Sequence, residues 1–281
     1  MSNVTATVCY LSEGLGNGLE KKKDRPVYSP TGPGRNAKFV VDRPLIKSDV
    51  EVMDARSHGN SINSQYRLND SGTILYTHQS AVSNYLDKDQ IKQIYEAEIE
   101  TLLKTKTGGY RVHIFDHTVR ASNAAIREQK QVREPATLVH NDYTANSGLQ
   151  CLRENLPEEA EQLSNGRFQI INVWRPLVDP VESFPLAFCD ATSIVTTDLV
   201  DTERRAPDHV GELILVTHNP DHRWFYFPNM RPNEILLFKT YDSLPEGRLG
   251  CGAHTAIDIH GTPTDAKPRE SIESRAFVFY H

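Results

Sequence analysis

A chain of 281 residues, 38% hydrophobic and 24% charged, has the ordinary composition of a globular protein that can bury a substantial core. Its net charge of −6, from 31 basic and 37 acidic side chains, and the lack of a basic stripe exclude the footprint of a nucleic-acid binder. No apolar run approaches the roughly 20 residues that span a bilayer, and residues 1–5 lack the layout of a secretory signal. The four cysteines, Cys9, Cys151, Cys189 and Cys251, show no CxxC spacing and read as reduced, packed thiols, so a cytoplasmic protein is expected.

Residues 4–11 read as a short strand. A basic, Gly/Pro-rich stretch follows, Lys21-Lys22-Lys23 and then Ser29-Pro30-Thr31-Gly32-Pro33-Gly34, which is loop or arm by composition. The lysine run reads as a solvated face. Residues 1–40 are thus expected to form an N-terminal extension, and 41–281 a single domain. Residues 50–55 and 73–77 read as extended. The clearest helix spans 87–106, where Ile91, Ile94, Tyr95, Ile99, Leu102 and Leu103 recur at helical spacing. Asp87 with Gln90 resembles a capping box, and Gly108-Gly109 stops the helix. A second helix is predicted over 148–163, with Pro157 suited to a first turn if the helix restarts there.

Elsewhere the pattern favours strands. Tyr110, Val112 and Ile114 alternate with Arg111, His113 and Phe115. Further β-rich runs cover 168–174, 186–189, 212–218, 223–227, 234–241, 255–259 and 272–280, separated by Pro, Gly, Asn or Asp. About eight short strands at fairly regular spacing predict a mainly β protein, a double-sheet jelly roll with flanking helices, the long helix packed outside one sheet.

The residues with chemistry to offer begin with His140 and Asp142. In a strand, positions i and i+2 point to one face, so both could aim into a barrel while Asn141 faces away. The same run also suits a turn in which the carboxylate caps a backbone amide. His254, at the head of a late strand, offers a third ligand, against the common fate of a lone histidine packed on a carbonyl. Two imidazoles and one carboxylate can cap one face of an octahedral iron(II) and leave the other open. If 269–275 is extended, Arg269, Ser271, Glu273 and Arg275 share one face. That face is either a salt-bridged edge or the wall of a polar pocket, where a guanidinium forks a carboxylate and serine adds a hydrogen bond. The spacings of His113 with His117 and of His218 with His222 would suit zinc only on a helix, and neither pair sits in a helical pattern.

Six segments together make the chain recognisable. They are His140-x-Asp142-Tyr143-Thr144, Asn172-Val173-Trp174-Arg175-Pro176-Leu177, His222 through Met230, Leu237 through Ser243, His254-Thr255-Ala256 and Pro268 through Glu273. In this order, over roughly residues 70–281, they resemble the CmcJ/AsaB-type hydroxylase/desaturase family, which includes fungal secondary-metabolite oxygenases. The resemblance implies a double-stranded β-helix (cupin-like) catalytic domain that uses Fe2+, 2-oxoglutarate and O2. It implies His140, Asp142 and His254 as iron ligands and Arg269, with Ser271, as the anchor of the distal carboxylate of 2-oxoglutarate. Arg275 competes for that task. Arg175 is a further candidate for the cosubstrate, with a structural ion pair as its other reading. Tyr143, Tyr226, Met230, Lys239 and Asp242 are candidates for the substrate pocket.

The expected activity is hydroxylation, desaturation or oxidative cyclisation of a small molecule in secondary metabolism, releasing succinate and CO2. A metal dioxygenase without a cosubstrate and a non-catalytic jelly-roll binding module are the rival readings. No nucleic-acid or membrane partner is expected, and the oligomeric state is left open.

Overall fold

The computed structural model describes residues 3–12, 25–31, 38–56, 68, 72–206, 209–244 and 251–281. The lysine run 21–23 and the glycine–proline turn 32–34 lie outside the described residues. Strands β1 (Val4–Leu11), β2 (Val27–Pro30), β3 (Phe39–Val41), β4 (Leu45–Asp54) and β5 (Thr73–Thr77) come first. After the main helix follow β6 (Arg111–Ala121), β7 (His140–Asn141), β8 (Phe168–Pro176) and β9 (Leu186–Cys189). The last are β10 (Leu199–Ala206), β11 (His209–Val216), β12 (Trp224–Tyr226), β13 (Glu234–Asp242), β14 (His254–Ala256), β15 (Asp258–Ile259) and β16 (Glu270–Phe279).

They form two sheets. The larger has the order β15-β1-β4-β12-β9-β14-β7-β11-β10-β2-β3, and the smaller β5-β13-β8-β16-β6. The first strand, inside the expected 1–40 extension, pairs with β4 along its whole length and with β15. Where the sheets face each other, Phe188, Phe225 and Leu186 of the larger meet Trp174, Leu236 and Phe238 of the smaller. Burying each such phenylalanine contributes roughly 1.5–3 kcal/mol of transfer free energy. This is the mainly β, double-sheet architecture expected of a double-stranded β-helix.

The main helix lies outside the smaller sheet, as its spacing predicts. It begins as α1 (Lys88–Gln90), passes through a π-helical turn at Ile91–Tyr95 and continues as α2 (Glu96–Thr107). The Asp87 carboxylate accepts from the Asp89 and Gln90 amides, and Gly108 closes the other end at φ 76°, a left-handed conformation that suits glycine. Tyr95, Ile99 and Leu103 pack on Ile171, Val173, Ile235 and Leu237. The π turn was not legible in the periodicity. A short helix, α3 (Ala124–Lys130), follows β6.

The second predicted helix is two. The first, α4 (Ala145–Asn155), starts three residues earlier than expected because Thr144 and Ser147 form a reciprocal capping box. A second, α5 (Ala160–Ser164), follows Pro157 after a break. On α4, Gly148 lies against the Tyr241 ring of β13: a Cβ there would sit 2.2 Å from Tyr241 Cδ2. This close approach fixes the helix that immediately follows Asp142.

Gly148→Ala is therefore expected to destabilise the fold by about 1–3 kcal/mol through overpacking, outweighing the gain of up to about 1 kcal/mol in helix propensity. Urea unfolding checks this, and a variant as stable as the parent would contradict the packing argument.

Candidate active site

Strands β7 and β14 lie next to each other, and His254 is the direct partner of His140 across the antiparallel pair. Directly opposed residues project to the same face, so the two rings meet with centroids 4.4 Å apart. Nδ1 of His140 lies 2.7 Å from the Leu138 carbonyl, and Nδ1 of His254 lies 3.4 Å from that of Gly252. A carbonyl only accepts, so each Nδ1 carries a proton and Nε2 is the ring nitrogen available to a ligand. Burial, and then the neighbouring His140, push the pKa of His254 down to about 3, so this imidazole is neutral at physiological pH.

Asp142 reaches the same point by a different route from the one its spacing suggests. β7 ends at Asn141, and Asp142 lies in the bend before α4. Its Oδ1 stands 3.5 Å from His140 Nε2. Its Oδ2 accepts from Asn172 Nδ2 at 2.8 Å and from Arg275 Nε at 3.1 Å. Burial alone would lift this carboxyl; Arg275 above all outweighs burial and holds it well below the usual carboxylate range. One ligand atom from each of His140, Asp142 and His254 lies within 4.8 Å of the others. Two imidazole nitrogens and one ionised oxygen form a donor set that fits a divalent iron ion.

Arg269, just before β16, and Ser271 and Arg275 on it follow the alternation predicted for one face, together with Glu273. Arg275 is engaged by three carboxylates: Asp142, Asp116 at 2.5 Å, and Glu273. Arg269 differs in kind. It is 2% exposed, yet no described carboxylate lies within ion-pairing distance of it. Its Nε donates to Ser271 Oγ at 3.2 Å and its Nη1 to the Phe184 carbonyl at 2.7 Å. Its guanidinium lies over the Trp174 ring, 5.1 Å from the centroid. The buried Trp174 indole N–H has no hydrogen-bond partner among the described residues. Burial, then Arg120, push the pKa of Arg269 down to about 9.

Other candidates lie elsewhere. Arg175 projects from the opposite face of β8 to Asn172. Its guanidinium is occupied by the Tyr95 hydroxyl, the His78 ring and the carbonyls of His78 and Pro232, so it ties the helix layer to the sheet and does not reach the metal side. Lys239 and Asp242 form a buried ion pair, with Arg167 and Gln169 completing the carboxylate's partners. Tyr226 packs beyond the larger sheet with Tyr10 and Trp224, and Met230 fills the apolar interior beside Trp174 and Phe188. None of these lines the cavity of about 610 Å³ that opens in front of His140, Asp142 and Arg275, whereas Tyr143 does.

Residues 19–279 match the family model described as "Oxidoreductase/YMDC permease-like domain". The alpha-ketoglutarate-dependent dioxygenase phiK of a fungal species is 32% identical over 240 residues, 82% of this chain and 83% of the relative. The hydroxylase/desaturase efuI of Hormonema carpetanum is 31% identical over 255 residues, covering 82% of this chain and 83% of its own. This chain belongs to the hydroxylase/desaturase family. Among solved structures, the iron and alpha-ketoglutarate-dependent endoperoxidase NvfI superposes with a TM-score of 0.84 at 26% identity, over 100% of this chain and 98% of that one.

In this hydroxylase/desaturase the residue that sequence reasoning left without a role is Asn172. Its amide donates to Asp142 and its carbonyl oxygen accepts from Thr240 Oγ1 at 3.2 Å, so it fixes which carboxylate oxygen faces the imidazoles. The one signal was an amide between Ile171 and Val173 in an otherwise apolar run. Asn172→Ala is expected to weaken binding of iron(II) about 10- to 100-fold, the usual effect of losing a hydrogen bond to a ligand, with the fold retained. Anaerobic iron titration with circular dichroism checks this; unaltered affinity would contradict the positioning role.

Proposed function

We propose that this chain is an iron(II)- and 2-oxoglutarate-dependent oxygenase that hydroxylates, desaturates or oxidatively cyclises a small molecule of secondary metabolism. In this reading His140, Asp142 and His254 hold the iron through Nε2, Oδ1 and Nε2. The bound metal, with 2-oxoglutarate, supplies oxygen activation coupled to loss of CO2 and formation of succinate. The chain's own part is to place the reactants and exclude water. Asn172 and Arg275 hold the far oxygen of Asp142, and the Leu138 and Gly252 carbonyls fix the tautomers of the two imidazoles.

The observation that carries the reading is the solitary cation of Arg269. A buried charge is costly unless paired, and this one lacks a carboxylate among the described residues while Arg275 already has three. The distal carboxylate of 2-oxoglutarate completes it, aided by Ser271 and the free Trp174 N–H. A dioxygenase needing no cosubstrate would leave this guanidinium uncompensated, and a non-catalytic module would need neither it nor the available imidazole nitrogens. Arg275 acts instead as the brace of Asp142.

We place the enzyme in the cytoplasm, acting on a small molecule without nucleic-acid or membrane partners. Among the described residues no helix is long and apolar enough to cross a membrane, and the four cysteines are unbridged.

Arg269→Ala is expected to raise the 2-oxoglutarate concentration needed for half-maximal succinate formation about 10- to 100-fold, from the roughly 1.5–3 kcal/mol of a charge-assisted hydrogen bond, with iron affinity little changed. Arg275→Ala should instead weaken iron binding. Exchange of these two phenotypes would reverse the arginine roles, and succinate formation that needs no 2-oxoglutarate would favour the cosubstrate-free rival.

A further inference from the structure

The cavity in front of the metal ligands has two kinds of wall. Tyr28, Phe39, Val41, Leu138 and Leu215 supply the apolar part of its lining, and Arg120, Arg133 and Arg204 the cationic part. The three arginines come from separate parts of the chain. Arg120 sits on β6 opposite Ser271, the backbone of Arg133 bridges that of Arg120, and Arg204 sits on β10 opposite Tyr28. Arg120 donates to the Glu134 carbonyl at 2.7 Å, and Arg204 lies over the Phe39 ring, 5.3 Å from its centroid. The Arg133 side chain makes no hydrogen bond or ion pair among the described residues. Burial, then Arg120 and Arg204, hold its guanidinium below the ordinary range.

The acids of the cavity do not balance this group. Asp116 and Asp142 are paired with Arg275, Glu212 accepts from Arg25 and Thr144, and Glu154 faces His209 and Gln150. Glu134 and Asp116, the second shared with Arg275, are the acids that face the three guanidinium groups. A cluster of like charges in a partly closed cavity is unfavourable until an anion enters it. Arg269 is separate, fully buried and not part of this wall.

We propose that Arg133 and Arg204, assisted by Arg120, bind a carboxylate of the substrate, so that the natural substrate is an amphiphilic organic acid with its apolar body against Tyr28 and Phe39. This rests on the oxygenase reading above. Two guanidinium forks recognise a carboxylate directionally and discriminate against its ester, which keeps the shape and loses the charge.

The test uses 2-naphthoate and methyl 2-naphthoate as probes, titrated calorimetrically into the enzyme loaded anaerobically with iron(II) and 2-oxoglutarate. The visible charge-transfer band of the chelate is followed in parallel. Expected is a preference for the acid of about ten-fold or more, from the energy of a charge-assisted hydrogen bond. Arg133→Met and Arg204→Met should each abolish that preference with the band unchanged, and Arg133→Lys should restore part of it. Equal binding of acid and ester, no binding of either, or a preference that survives both variants would overturn the inference. Loss of the band in the variants would also overturn it, by making these arginines part of the cosubstrate site. Absence of the band in the parent chain would instead remove the oxygenase reading, and this inference with it.

Discussion

One carboxylate joins the two sheets at the centre of this molecule. Asp142 follows a strand of the larger sheet, and its Oδ2 is held by Asn172 and Arg275 of the smaller. Only because that oxygen is fixed does Oδ1 face the imidazole of His140, whose own orientation is set by a backbone carbonyl. The arrangement exists only when the sheets have closed on each other, so the apolar packing of Phe188, Phe225, Trp174 and Phe238 is also what assembles the polar site. A low-dielectric surrounding makes each such contact count for more and each unmatched group cost more.

Arg275 on β16 and Arg269 just before it show how placement divides labour between identical side chains. Arg275 sits among Asp116, Asp142 and Glu273, which together outweigh the cost of burial and keep it firmly charged. Arg269, just before the same strand, has serine, a backbone carbonyl and an aromatic face for company, but no acid among the described residues. The first serves a charge already in the protein. The second is arranged for one that arrives.

Much of this was legible in the chain. The spacing of Ile91 through Leu103, with Asp87 and Gly108 at its ends, gave the long helix; alternating or β-branched runs gave β1, β5 and β9 with their observed limits. β10 escaped notice because Asp201, Glu203, Arg204 and Arg205 make it read as a polar loop, although it pairs with β11 along its length. β2 and β3 were hidden in a stretch dominated by glycine, proline and lysine. The three metal-binding candidates could be named from type and order, and the structure brings them together. For Arg175 the sequence leaves a cosubstrate contact and a structural role equally open, for a physical reason. Every residue of β8 is buried, so no apolar–polar alternation tells which side chains face the barrel and which face the helix. Lys239 and Asp242 lie in a strand nearly as buried, where an internal ion pair looks in sequence like a pair of pocket residues. The cationic wall was also invisible, since Arg120, Arg133 and Arg204 meet only through the pairing of distant segments.

The most direct measurement is an iron-edge anomalous difference map from crystals grown anaerobically with iron(II) and 2-oxoglutarate. The account expects a single strong peak bonded to His140 Nε2, Asp142 Oδ1 and His254 Nε2, with the distal carboxylate of 2-oxoglutarate against Arg269. Iron bound elsewhere, or a site from which any of those three side chains is absent, would contradict it.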